Sequence, residues 1–162
     1  MAHRLILSAL LVATPAAAAP SPCEAQADTV AKLRAAVDRE ARGSGAEDTV
    51  GTVGLMTLEP AAVNSIPRHV RLDIDIRDTD EARRDAVLER VRAAARDAAA
   101  AQGVTHREEI LNADGPATSD PAVLDAIEEA CAEAGLPAMR MVSRAYHDCV
   151  FMDEFDDTKP NL

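Results

Sequence analysis

The amino-acid sequence predicts an α+β fold, and two stretches carry most of that prediction. Residues 70–77 alternate strictly between apolar and charged side chains, which is the period of a strand with one buried and one solvated face. Residues 79–102 repeat Val, Leu and Ala at helical spacing. A chain that mixes both periods in successive segments is typical of a sheet with helices packed against it.

The elements before these two are a helix and a strand. The helix is predicted over 28–42, where Asp28 is placed to cap its start. The strand is predicted over 49–58, a run of mostly β-branched or apolar residues. Its glycines, Gly51 and Gly54, suit a strand that another backbone approaches closely.

Two further elements complete this half of the chain. The long helix over 79–102 can be capped by Asp78 or Thr79 and ended by Gly103, and a strand is predicted over 104–111. The order is then helix, strand, strand, helix, strand. With one more short strand from the first segment, this order is compatible with a ferredoxin-like sandwich, an antiparallel sheet with two helices on one face. Ala, Val, Leu and Ile must build the core, because aromatics supply 2% of the chain.

The N-terminal 22 residues are interpreted as a signal-like or unstructured segment. A positive start at 1–4, an apolar run at 5–13 and small residues at 16–19 resemble a secretory signal peptide. The apolar run is too short to span a bilayer as a helix. A working export signal and an alanine-rich stretch without a targeting role both stay open.

The C-terminal part follows a turn-rich linker at 112–116. A third helix is expected to begin at Asp120, with Pro121 in the favoured first position. A short strand around 139–142 would then deliver residues 143–148 to a loop at a sheet end, where functional residues are common. The predicted pieces of the chain are therefore 1–22, 28–112 and 117–162.

The net charge of −11 limits the classes of partner. Phosphate contacts need clustered Lys and Arg, which carboxylates outnumber here, so binding to nucleic acid is not expected. A basic membrane-surface role is equally unexpected. The acidic surface is interpreted as a source of solubility.

Three residues are candidates for binding or chemistry. His147 stands beside an aspartate, and an imidazole oriented by a carboxylate is a good ligand for zinc or manganese; the alternative is a hydrogen-bonded loop histidine. Arg77 lies on the polar face of its strand, where it could grip a substrate carboxylate or pair with Asp73 or Asp75. Asn64 could present its amide to a ligand or shape a turn.

Four motifs in order resemble those of one family. They are T-V-G-T-V-G at 49–54, E-P-A-A-V-N-S-I-P at 59–67, D-I-R-D at 75–78 and the stretch 143–152. Their order and spacing are similar to those of the allantoate amidohydrolase and N-carbamoyl-L-amino-acid hydrolase branch of the aminoacylase and carboxypeptidase superfamily. The resemblance extends over about 28–152.

The resemblance implies a catalytic domain with a binuclear metal centre, interrupted by a ferredoxin-like domain that pairs two subunits and closes over the substrate. In that scheme Asn64 and Arg77 bind the carboxylate and polar groups of the substrate, and His147 is a metal ligand. Residues 28–112 would be the dimerisation or lid domain. Residues 117–162 would be a helix–strand piece of an incomplete α/β catalytic domain.

The metal that the resemblance implies in intact relatives is divalent, zinc or manganese. The family carries an H-x-D motif, two adjacent glutamates and a further ligand histidine upstream of the lid domain, and this sequence has no match to them. A single histidine cannot hold a hydrolytic metal, so this chain alone is not expected to hold it. Whether the chain is itself an enzyme therefore stays open.

The expected function is that of a fragment or truncated member of a metal-dependent amidohydrolase, which hydrolyses C–N bonds of carbamoyl or ureido compounds. Its part would be homodimerisation and the binding of a small ureido or carbamoyl carboxylate. The alternative is a catalytically inactive dimerisation or interaction module. The resemblance implies a cytoplasmic protein, or an exported one if the N-terminal signal is real.

Overall fold

A computed structural model describes residues 3–13, 21–145 and 148–150 of the protein. It confirms the predicted α+β class and places the elements close to where the sequence predicts them. In chain order they are β1 (His3–Ala13), α1 (Pro22–Arg42), β2 (Val50–Glu59), β3 (His69–Asp78), α2 (Glu81–Ala101), β4 (Val104–Ala113) and α3 (Pro121–Glu133).

The four strands form one antiparallel sheet in the order β2-β3-β1-β4. Helices α1 and α2 pack against each other and against one face of this sheet, which we call the inner face. The opposite, outer face carries the charged residues of β3. This is the ferredoxin-like arrangement that the sequence predicts.

The core lies between the inner face and the two helices, and aliphatic side chains build it. Strict alternation along β3 turns every second residue inward, which explains why its apolar residues are buried and its charged residues are not. Small alanines on α1 and α2 let the helices approach the sheet. The largest fully buried side chains are Leu7, Leu33, Leu72, Ile74, Ile76, Val37, Val87, Val91 and Thr29.

Part of the first 22 residues, which the sequence analysis interprets as signal-like or unstructured, forms a strand. Residues 3–13 form β1, which pairs with β3 on one side and β4 on the other and is therefore central to the sheet. Leu7 and Ala9 are fully buried. A short apolar run fits a leader peptide and a buried strand equally well, so the sequence pattern alone could not separate the two.

Both long helices start at other caps than the sequence predicts. Ser21 and Glu24 form a reciprocal capping box at the start of α1, with hydrogen bonds of 3.3 and 3.0 Å. Asp28 therefore lies inside the helix, where it pairs with Lys32 at 2.6 Å. Asp80 caps α2 by accepting a hydrogen bond from the backbone N–H of Arg83.

Gly51 marks the close approach that the sequence predicts between β2 and another backbone. A Cβ at this position would lie 2.9 Å from the carbonyl oxygen of Val37 and 3.0 Å from the Cβ of Ala41, both on α1. At Gly54 a Cβ would meet no atom within 4 Å, because the strand register shifts there. Only the first glycine is required for packing.

These two glycines give a matched pair of variants. We expect Gly51→Ala to lower the free energy of unfolding by about 1–3 kcal/mol, because α1 must shift away from β2 to admit the methyl group. Gly54→Ala should change it by less than about 0.5 kcal/mol, the usual effect of an uncrowded surface substitution. Urea unfolding followed by circular dichroism measures both. Equal effects at the two positions would contradict this view of the α1–β2 contact.

The Asp78 side chain is fully buried where β3 meets α2. Its carboxylate accepts hydrogen bonds from the Thr49 hydroxyl at 2.5 Å, the Arg83 Nε at 2.8 Å and the Asp80 backbone N–H at 3.0 Å. Burial acts to raise the pKa of Asp78, but these hydrogen bonds and the charge of Arg83 outweigh it, so the pKa lies below the usual value of 3.8. The charged carboxylate therefore joins three parts of the fold.

Removing the Asp78 carboxylate should destabilise the fold. We expect Asp78→Ala to cost about 2–3 kcal/mol, because Arg83 and Thr49 lose their common acceptor. Asp73→Ala is the control, since its partner Arg71 is half-exposed and such a pair is worth about 1 kcal/mol or less. Urea titrations at pH 7 compare the unfolding free energies of the two variants. Equal losses would show that burial of the Asp78–Arg83 pair does not add to stability.

The same carboxylate predicts a pH dependence. Because the folded-state pKa is lowered, the unfolded chain takes up the proton first, and the stabilisation is complete above the unfolded value of about 3.8. It is lost as the pH falls through that value towards the folded-state pKa. We therefore expect the difference in unfolding free energy between the wild type and Asp78→Asn to shrink below about pH 4. A difference that is constant between pH 3 and pH 7 would contradict the lowered pKa.

The third helix begins as predicted, with Asp120 as its cap and Pro121 in its first turn. No residue of α3 is buried, and Val123 and Ile127 of its apolar stripe are 56% and 54% exposed. The strand predicted around 139–142 is not formed, because no described strand lies beside it to accept its hydrogen bonds. Within the described residues, none of the helices combines the length and apolar character needed to cross a membrane.

Candidate functional site

Arg77 lies on the outer face of the sheet, near the end of β3. Its neighbours Ile76 and Asp78 turn inward, so strand alternation directs Arg77 away from the helices. Its Nε donates to both carboxylate oxygens of Asp75 at 3.1 Å, and a terminal nitrogen donates to Asp75 Oδ2 at 2.7 Å. Hydrogen bonding to Asp75 raises the pKa of Arg77 and fixes its guanidinium as a cation.

The other terminal nitrogen of Arg77 donates to the backbone carbonyl of Arg144 at 2.5 Å. The side chain of Arg144 in turn donates to the backbone carbonyl of Glu47, in the loop between α1 and β2, at 3.0 Å. The end of β3, this loop and residues 143–145 are thereby joined. Arg77 is thus paired with Asp75, which is one of the alternatives that the sequence left open. It also holds residues 143–145 through its bond to Arg144.

Asn64 lies in the exposed loop 60–68 that connects β2 to β3. A hydrogen bond of 2.6 Å from the Arg68 N–H to the Glu59 carbonyl closes the loop at its base. A second, of 3.3 Å from the Ser65 N–H to the Ala62 carbonyl, forms a turn around Asn64. The residue therefore occupies a turn, as its type favours, and its side chain is open to solvent.

Asn64 and Arg77 lie at opposite ends of the β2–β3 hairpin. Arg77 stands eight positions after His69, where β3 begins next to the loop of Asn64. At about 3.4 Å per residue, the backbones of His69 and Arg77 are about 27 Å apart, and Asn64 lies beyond His69. The two residues therefore lie apart within one chain, and their predicted binding of one substrate stays a prediction.

His147 lies outside the described residues, so its predicted role as a metal ligand stays a prediction. Among the residues that are described, no group of three or more His, Cys, Asp or Glu side chains could hold a metal ion. Those residues do not fit the binuclear centre that the resemblance implies.

An apolar groove between α1 and β2 is a feature that the sequence analysis missed. Its volume is about 370 Å³, and Val30 on α1 faces Met56 and Leu58 on β2 across it. The sequence of β2 could have indicated this groove. Residues 50–58 include large apolar side chains and no charged one. Such a strand at a sheet edge favours pairing with another chain.

Comparison with known proteins agrees with this architecture. Residues 12–102 match the model of a family described as the peptidase dimerisation domain. The chain is 46% identical to a ureidoglycolate hydrolase from Oryza sativa subsp. japonica, over 75% of this chain and 25% of that protein. It is 33% identical to an N-carbamoyl-L-amino acid amidohydrolase from Geobacillus stearothermophilus, over 85% of this chain and 32% of that protein.

Solved structures resemble the fold closely. The crystal structure of AtUAH in complex with (S)-hydroxyglycine has a TM-score of 0.79 at 38% identity, over 94% of this chain and 37% of that one. A hydantoinase/carbamoylase family amidase from Burkholderia multivorans has a TM-score of 0.79 at 26% identity. The chain spans about a quarter to a third of the length of the curated relatives it matches.

Proposed function

We propose, since the chain belongs to the peptidase dimerisation domain family, that it supplies the dimerisation and lid portion of a metal-dependent amidohydrolase. The substrates would be carbamoyl or ureido compounds with a carboxylate, of the allantoate, ureidoglycolate or N-carbamoyl-amino-acid type. The observation that carries the proposal is the 46% identity to a ureidoglycolate hydrolase over three quarters of the chain. The ferredoxin-like sheet supports it.

The edge strand β2 is the proposed dimer seam. Leu55, Met56 and Leu58 on this strand are 54%, 53% and 37% exposed, which is unusual for an edge that faces solvent. The other edge, β4, carries charged residues such as Arg107 and Glu109 in its middle, which oppose pairing with a second chain. Pairing of two β2 strands would continue the sheet across the dimer and cover the apolar groove.

A two-fold dimer of this kind would bring Asn64 of one subunit near Arg77 of the other. The start of β2 at Val50 pairs with Arg77, and the loop 60–68 follows the end of β2. In an antiparallel β2–β2 pair, the start of one strand lies beside the end of the other. Asn64 of the partner subunit would then approach Arg77, and the two would bind one substrate from different chains.

Arg77 would orient the substrate by its carboxylate, and the amide of Asn64 would bind polar groups on the substrate. The pairing of Arg77 with Asp75 suits this role, because a guanidinium that is already held on one edge loses little conformational freedom when it binds a substrate. A bound divalent metal would supply activated water for hydrolysis of the C–N bond. His147 is proposed as one of its ligands, together with residues that this chain does not offer within the described part.

The second candidate function is a catalytically inactive dimerisation module. The match of residues 12–102 to the peptidase dimerisation domain suits either candidate, because that family description names dimerisation and no reaction. Binding of N-carbamoylglycine to the purified chain, measured by titration calorimetry, separates the two. Saturable binding that Arg77→Gln abolishes supports the amidohydrolase portion; a stable dimer that does not bind the compound supports the module.

A further inference from the structure

Arg144 makes two hydrogen bonds that hold residues 143–145 against the end of the sheet. Its carbonyl oxygen accepts from a terminal nitrogen of Arg77, and its guanidinium donates to the Glu47 carbonyl at 3.0 Å. The segment on its N-terminal side, 136–142, is exposed throughout. Residues 143–145 have no buried side chain, and these two bonds hold them against the end of the sheet.

The contact with Arg144 uses the part of the guanidinium that a ligand would need. Asp75 already occupies the Nε and one terminal nitrogen of Arg77. The remaining terminal nitrogen donates to Arg144, so a carboxylate that binds Arg77 through this nitrogen competes with the Arg144 carbonyl. The Arg144 carbonyl would then occupy the position of a carboxylate oxygen.

We propose that residues 143–145 are a displaceable plug on the carboxylate subsite at Arg77. The inference rests on the proposed substrate-binding role of Arg77. A carboxylate that reaches Arg77 takes over the terminal nitrogen, and the Arg144 carbonyl leaves it. The bond from Arg144 to Glu47 is a tether that sets how readily the plug is released.

The replacement of the Arg144 carbonyl by a substrate carboxylate at Arg77 is energetically favoured. A charge-assisted bond from a guanidinium to a carboxylate is stronger than a bond to a neutral carbonyl, so a carboxylate can displace the plug. Release exposes little apolar surface, because Arg144 and Ala145 are already exposed. A single net hydrogen bond shifts an equilibrium by about two- to tenfold, which is the range in which the tether should act.

Affinity for N-carbamoylglycine, measured by titration calorimetry, tests the tether. We expect Arg144→Ala to lower the Kd by about two- to tenfold, because the plug is released more easily. The matched control is Arg140→Ala, whose guanidinium pairs with Asp125 and Glu128 on α3 and does not contact the site. That variant should keep the wild-type Kd.

Trypsin provides a second readout on the unaltered chain. The carbonyl that accepts from Arg77 is the scissile one after Arg144, so bound N-carbamoylglycine should raise the rate of cleavage there relative to cleavage after Arg140. Arg77→Gln should raise the same ratio without ligand. Mass spectrometry of early time points gives the ratio of the two products.

The outcomes separate the two proposals. Binding of N-carbamoylglycine with no gain in Arg144→Ala and no faster cleavage after Arg144 overturns the plug and leaves the substrate-binding role of Arg77 standing. No binding to the wild type or to either variant overturns the role of Arg77, and the plug with it. A lower Kd together with faster cleavage supports both.

Discussion

Deletion of residues 1–13 is expected to leave the chain without a cooperative fold. β1 lies between β3 and β4, so its loss separates the β2–β3 pair from β4, which is left without a neighbouring strand. The core also loses Leu7 and Ala9, which are fully buried. Circular dichroism and urea unfolding of the shortened chain should show no sharp transition, because a two-stranded ribbon with one helix layer is marginal.

A point variant in the same strand keeps this prediction testable if the shortened chain is insoluble. Leu7→Ala should cost about 2–5 kcal/mol, the range for truncating a buried leucine. Leu10→Ala, at a partly exposed position of β1, is the control and should cost less. A chain without residues 1–13 that unfolds with the cooperativity of the full chain would contradict the structural role of β1.

The second large effect is expected at the dimer seam. Met56→Glu should raise the dimer dissociation constant by about 100-fold or more, because pairing of the β2 edges would bury an unpartnered carboxylate at a cost of about 3 kcal/mol. The single chain should keep its stability, since Met56 is 53% exposed there. Sedimentation equilibrium over a range of concentrations measures the constant.

The control for the seam is Val123→Glu on α3, an apolar side chain of similar exposure away from β2. It should leave the dissociation constant unchanged. If both variants dimerise like the wild type, the seam does not lie at β2. If Val123→Glu alone weakens the dimer, the interface lies on α3 instead.

The sequence predicts the sheet and helices well where the periodicity is strong. The alternation at 70–77 and the stripe at 79–102 locate β3 and α2 within two residues at each end, because one face of each is buried in the core. The caps were placed less well. Several acidic and hydroxyl residues stand near each helix start, and which of them caps is decided by the path of the preceding chain.

The sequence places the candidate residues on elements of the fold but does not predict their contacts. The polar-face position of Arg77 follows from alternation, and its pairing with Asp75 was one of two alternatives the pattern allowed. The contact with Arg144 could not be read from sequence, because it joins residues 67 positions apart. Likewise the separation of Asn64 from Arg77 depends on the length of the hairpin between them.

The apolar stripe of α3 shows a further limit. The pattern predicts a helix with one buried face, and the helix forms, but no described residue covers that face. Periodicity reports that a surface is suited to burial and does not say which surface buries it. The predicted catalytic-domain segment at 117–162 stays a prediction for the same reason.

Pulsed electron resonance between spin labels tests whether Asn64 of one subunit lies next to Arg77 of the other. Cysteines at 64 and 77 are introduced into separate chains whose native cysteines are replaced by alanine, and the two labelled chains are mixed. A doubly labelled chain diluted with unlabelled subunits gives the distance within one chain, at least about 27 Å between backbones if the loop extends β3. We expect labels on different subunits to lie closer than this, since about two to three strand spacings, 10–15 Å, separate the backbones. A distance between subunits equal to or longer than that within one chain would contradict it.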